Sequence, residues 1–266
     1  MDAFYEAYVD YVRNVIPLKI WHVWELSRRA TDPVPVSDAL VSHVDIFRKT
    51  RYYRKRLYWD FWEGKVPEWE QTKAGIVEIF ERHAQDRTSE AIERASLDSL
   101  WPLIEPCIQH LSRPLVEKED RPYGCWDCQL KEDEPNVVVA HFANAYQPES
   151  PFRCMDRCAG ELLRAMHDIS AQHPERDTVM VSSWLNSFAP FHAFFPPVWP
   201  KNMEGRQMQS ATYGIWGQYM DRRGAFHPKN ARRFRQTAEH PYPLRTSSCA
   251  IEEEVRYLER EGWKRR

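Results

Sequence analysis

Residues 137–151, VVVAHFANAYQPESP, run from four apolar side chains into an imidazole at His141 and a carboxamide at Asn144. The stretch VMVSSWLNSF (179–188) repeats the pattern, with Ser182, Trp184 and Asn186 alternating after an apolar start. A third stretch, YGIWGQYMDRRGAF (213–226), adds Trp216 and Gln218. Histidine is the one side chain whose ordinary pKa lies near neutrality, so His141 is the natural group to take and return a proton. Glu149, in a proline-flanked loop, is a second acid–base candidate. The carboxamides Asn144, Asn186 and Gln218 suit polarising a carbonyl or holding a developing oxyanion. Trp184 and Trp216 would form aromatic walls, with the Ser182 hydroxyl beside the substrate. That inventory fits an enzyme without a redox cofactor that moves an acyl group onto an amine, or condenses a carbonyl with one. A ring-closing condensation on an aromatic amine fits it as well, and so does a non-catalytic ligand-binding or interaction protein.

The elements that must position these groups are legible in outline. The first 115 residues read as helices: 4–30 with a break at Pro17, a helix starting near Ser37 and Asp38, then 72–94 and 96–113. A polar, proline-bearing segment at 112–124 reads as a boundary. Beyond it, YGCWDCQL and NVVVAHFANA read as strands joined by an acidic loop, CMDRCAGELLRAMHDIS (154–170) as a helix, 177–188 as a buried strand and 213–226 as a third. A short basic helix near 227–240 and a final amphipathic helix close the chain. The expectation is an α+β protein, α/β-like in its second part: a helical region, 1–115, packed on a mixed-sheet domain, 123–266. Strand alternation places His141 with Val137 and Val139, and Asn144 on the opposite face, so joining them in one pocket requires a bulge. The competing reading is that each polar group satisfies nearby backbone.

The order "VVVAHFANAYQPESP … helix … VSSWLNSFAPFHAFFPP" resembles the C-terminal half of GNAT-like acyltransferase proteins, which also carry a helical N-terminal part. The resemblance covers roughly residues 123–225. It implies an acetyltransferase-type sheet and an acyl-carrier or CoA thioester co-substrate. The Q/R-x-x-G-x-G/A loop that would cradle a pyrophosphate is absent, so no cofactor is expected.

Composition narrows the classes further. Eleven Trp, 12 Tyr and 12 Phe in 266 residues supply large core side chains or the walls of a cavity. A formal net charge of −2 gives no general attraction to polyanions, and the basic, aromatic stretch RKTRYYRKRLYW (48–59) is a solitary patch, so no nucleic-acid partner is expected. No apolar run reaches the roughly 18–20 residues that span a bilayer, and the opening residues show no secretory pattern. A cytoplasmic location with reduced cysteines is the default. Cys125 and Cys128 form a C-x2-C and Cys154 and Cys158 a C-x3-C. Residues three apart on a strand point to opposite faces, so a four-thiolate zinc site, and any stoichiometric zinc, is not expected. The P-loop, dinucleotide fingerprint, serine elbow and H-E-x-x-H motifs are all missing.

Overall fold

The structure, a computed structural model, describes residues 3–53, 66–111, 122–205 and 213–261. It is α+β, as expected, and divides into two units: residues 1–113 with 208–241, and residues 114–207 with 242–266. The first division falls inside the expected 112–124 boundary. The second differs from the expected continuous 123–266 domain, because 208–241 returns to the helical unit and takes Trp216 and Gln218 with it.

In the helical unit, α1 spans Ala3–Ser27, α2 Val36–Ser42, α3 Pro67–Arg82 and α4 Glu90–Leu111. The break expected at Pro17 does not occur, and Pro102 and Pro106 likewise lie inside α4. A proline removes one backbone donor from a helix, and burial outweighs that loss here. From Tyr8 to Leu26, α1 buries Val12, Val15, Ile16, Leu18, Ile20 and Val23 on several sides, so it is a central rather than a surface helix. One consequence is that Lys19 and His22, three residues apart on α1, are buried as well. Half of the basic stretch 48–59, residues 54–59, lies outside the described residues.

The expected strand at 213–226 is instead a 3-10 run, Tyr213–Tyr219, followed by a turn. Gly214 and Gly217 weaken any strand there, since glycine offers no side chain to the pleat. The DRRG turn does form: Asp221 Oδ1 accepts from the backbone N–H groups of Arg223 and Ala225, and Gly224 takes φ +87°. The basic helix is α6, Pro228–Thr237, numbered after α5 (Met155–Gln172) of the second unit.

The second unit is a five-stranded sheet of order β1-β2-β3-β5-β4. Its strands are β1 Trp126–Leu130, β2 Val137–Phe142, β3 Thr178–Ser183, β4 Glu204–Gly205 and β5 Arg245–Ala250. The parallel pair β2–β3 is joined through α5, Met155–Gln172, and the remaining pairs are antiparallel. Trp126, Val138, Ala140, Val179, Val181 and Cys249 share one face and pack with Leu162, Met166 and Ile169 of α5 and Leu258 of α7, Ile251–Arg260. The opposite face carries Asp127, Gln129, His141, Ser182 and Thr246 by register. The last three residues of β5, 248–250, were expected to open the final helix; its small side chains alternate, with Ser247 and Cys249 turned inward. Among the described residues no helix is long and apolar enough to cross a membrane.

Candidate functional site

The residues expected to converge make separate local contacts. His141 is exposed at the end of β2, with Nε2 3.3 Å from Gln129 Oε1, a diagonal cross-strand neighbour on the same face. Asn144 serves its own loop: its amide donates to the Glu149 carbonyl at 2.8 Å and its oxygen accepts from the Tyr146 N–H. That Asx turn explains why a carboxamide follows the strand. Glu149 is exposed. Ser182 accepts from the Thr246 hydroxyl at 3.0 Å, and the half-buried Trp184 lies 5.7 Å from the Tyr242 ring. Trp216 and Gln218 belong to the helical unit, where the Gln218 amide donates to the Ile215 carbonyl and its backbone carbonyl accepts from Asn230.

Asn186 has a structural duty. It is fully buried, donates to the carbonyls of Val181 and Arg245 and accepts from Trp199 Nε1, so it ties β3, β5 and the segment after β3 together. Both its N–H groups are thereby used. Asn186→Ala is expected to cost about 2–3 kcal/mol, because buried groups are left unpaired; urea melts read this directly. A variant of full stability would show that those bonds carry nothing.

A different cluster assembles in the helical unit, around residues far apart in sequence. Lys19 is completely buried, donates to the Asp45 carbonyl at 3.1 Å, and sits 5.0 Å from the centroid of the Trp216 ring. Asp45, also buried, holds a left-handed backbone at φ +45° and lies 3.2 Å from Arg48 Nε. Asparate tolerates that region better than most residues, and here it turns a carbonyl inward to the lysine. Burial, reinforced by the charges of Lys49 and Arg48 against the opposing pull of Asp45, brings the Lys19 amine down to about 7. Burial pushes the Asp45 carboxyl up.

Beside them stand His22 and His240, whose rings are 5.9 Å apart and 6.1 and 5.3 Å from Trp216. Phe234 stacks on His240 at 4.5 Å. Burial brings His22 down to about 3, with the neighbouring charges of His240, His43 and Arg29 adding to it, and burial brings His240 down to about 4. Both are neutral at pH 7. His240 Nδ1 faces the Tyr219 hydroxyl at 2.7 Å. Three buried polar atoms of these rings have no hydrogen-bond partner among the described residues: His22 Nδ1, His240 Nε2 and Trp216 Nε1. Buried polar atoms are ordinarily paired, so three orphans in one aromatic cluster set it apart from ordinary core.

Of the expected residues, Trp216 alone belongs to this cage. Lys19, His22, Asp45 and His240 were missed. The available signal was a lysine and a histidine inside the apolar run VIPLKIWHVW.

In the sheet unit, Cys125, Cys158 and Glu161 bring their ligand atoms within 4.8 Å of one another. One thiol of each expected pair takes part, while Cys128 and Cys154 lie outside the group. No protein-family model matches the chain, nor does any curated protein or solved structure. The acyltransferase resemblance thus rests on the stretch 123–225 alone.

Proposed function

We propose that the chain is an enzyme acting on a small molecule with a carbonyl or acyl group, engaged by the Lys19 amine in the cage of Trp216, His22 and His240. The observation that supports this reading is a fully buried lysine, brought down to about 7 and set against an aromatic face, beside three unpartnered polar atoms. An amine that is half neutral at pH 7 is a nucleophile; an ordinary exposed lysine at pH 7 is neutral in only about one molecule in 10³ or fewer. Addition of the Lys19 amine to a carbonyl, with loss of water, forms an imine; attack on an acyl group with loss of its leaving group forms an amide. Each neutral imidazole has one nitrogen without a partner among the described residues, His22 Nδ1 and His240 Nε2, suited to donating to the carbonyl oxygen or taking the proton that leaves nitrogen. Trp216 supplies the apolar wall expected of a pocket for an organic substrate. Because Lys19 is closed off, entry requires the 213–219 segment to lift from α1, where the Tyr11 hydroxyl holds the Trp216 carbonyl at 3.2 Å.

Reductive trapping tests the reading. The protein is incubated at pH 7 with a panel of small aldehydes and ketones plus cyanoborohydride, and peptides are mapped by mass spectrometry. Lys19 is expected to be modified ahead of exposed lysines, and Lys19→Met to lose that one adduct. Modification confined to surface lysines would overturn the assignment.

A further inference from the structure

The cysteine–glutamate cluster lies in the sheet unit, and its chemistry is independent of Lys19. The Sγ atoms of Cys125 and Cys158 are 3.6 Å apart, both residues are fully buried, and the carboxylate of Glu161 completes a set of three donors within 4.8 Å. We infer that Cys125, Cys158 and Glu161 bind a divalent zinc ion.

Three observations point to a metal rather than to packing thiols. The first is spacing. Two sulfurs on a tetrahedral zinc with bonds of about 2.3 Å are separated by about 3.8 Å. The observed 3.6 Å matches that edge, whereas a disulfide requires the sulfurs to close to about 2.05 Å and gives the carboxylate no part.

The second is the surrounding donor pattern. The Ala145 N–H points at Cys125 Sγ at 3.4 Å, and the Cys125 N–H donates to Glu161 Oε2 at 3.0 Å. The Tyr146 hydroxyl donates to Glu161 Oε1. Donors aimed at sulfur and carboxylate are what orient anionic metal ligands. Arg157, 3.7 Å from Glu161, offsets part of the charge of two thiolates and a carboxylate.

The third is local backbone. Gly124 takes φ +56°, and a Cβ there would come within 2.2 Å of the Glu161 carboxylate. Glycine at 124 therefore allows the chain to press against the carboxylate while Cys125 turns inward. Zinc binding would release one proton from each thiol. Three protein ligands leave the fourth tetrahedral position to a water molecule. The expectation of no stoichiometric zinc rested on Cys125 and Cys128 facing opposite sides of a strand; a site that takes one thiol from each pair reverses it.

Elemental analysis of the full chain, purified without chelators, is expected to find about one zinc per molecule. Cys158→Ser and Glu161→Gln are expected to fall well below that, and Cys128→Ser to keep it. Should the ligand variants fold poorly, wild-type protein stripped of metal and titrated with cobalt(II) decides the matter. Thiolate-to-cobalt charge-transfer absorption, competed away by zinc, is the expected result. A folded wild type with neither zinc nor cobalt absorption would overturn the inference. So would peptide mapping without reductant that finds Cys125 and Cys158 joined as a disulfide.

Discussion

Lys19→Met is expected to melt above the wild type at pH 7. A buried charged amine held by one carbonyl and an aromatic face is costly, and a methionine of similar length fills the same space without that cost. Replacing buried ionic groups by apolar ones of like volume commonly stabilises by about 1–4 kcal/mol. The pH dependence separates this from simple repacking. The Lys19 amine falls from 10.5 to about 7 on folding, so the unfolded chain binds the extra proton between those values. The stability associated with neutral Lys19 is complete above about pH 10.5 and is lost as pH falls to about 7. The slope is about 1.4 kcal/mol per pH unit, or about 5 kcal/mol across the window. The advantage of Lys19→Met should therefore shrink steadily between pH 7 and 10. Burial holds the Tyr219 phenol and Cys249 thiol up, and they titrate with the opposite sign at alkaline pH. Taking the difference between the two proteins removes them. A difference that does not vary with pH would mean Lys19 titrates ordinarily, and the proposed nucleophile would go with it.

The second large effect lies on the acid side. His22 and His240 are neutral when folded, at about 3 and about 4, against an ordinary 6.5. Their contribution is present above pH 6.5 and is lost as pH falls through about 4, because the unfolded chain takes up the protons first. His240 alone corresponds to about 3 kcal/mol at 1.4 kcal/mol per pH unit. Burial raises the carboxyls of Asp45 and Glu254, which work in the opposite direction over part of this range. His22→Phe isolates the histidine contribution: its ring sits among Trp21, Trp216 and Phe234, where a phenyl ring fits. That variant should resist acid to a lower pH than the wild type. Coincident acid transitions would show that His22 is solvated and that the cage is open.

What was legible in the sequence was local. Strands β1 and β2 and helix α5 form where alternation, an apolar run and a 3.6-residue periodicity place them, whereas the strand expected over 177–188 ends at Ser183 and gives way to a 3-10 run over Trp184–Ser187. The polar ends of β2 and β3 were legible too, but their meaning was not. Asn144 and Asn186 bond to carbonyls and N–H groups that only the folded loops define, and a carboxamide facing a backbone reads the same in sequence as one facing a substrate. The 213–226 segment was misread because alternation of aromatic and small residues also suits a buried 3-10 run. The Lys19 cage was hidden by separation: its members come from positions 19, 22, 45, 216 and 240, and no short window contains the chemistry. The Cys125–Cys158 proximity was obscured likewise, since spacing rules pair neighbours in sequence whereas the fold pairs one member from each motif.

The discontinuous division of the chain bears on its biosynthesis. The helical unit includes residues 208–241, so Lys19 and His22 emerge from the ribosome long before Trp216 and His240 exist to surround them. The sheet unit is in the same position: β5, the last strand made, lies between β3 and β4 rather than at an edge. For most of translation the nascent chain therefore exposes an apolar α1 carrying an unshielded amine, together with a strand edge on β3 awaiting its partner. Such edges and apolar surfaces invite wrong pairing until the last segments are made. Releasing either unit for separate study takes a rejoined chain, with 1–113 linked directly to 208–241, rather than a single truncation.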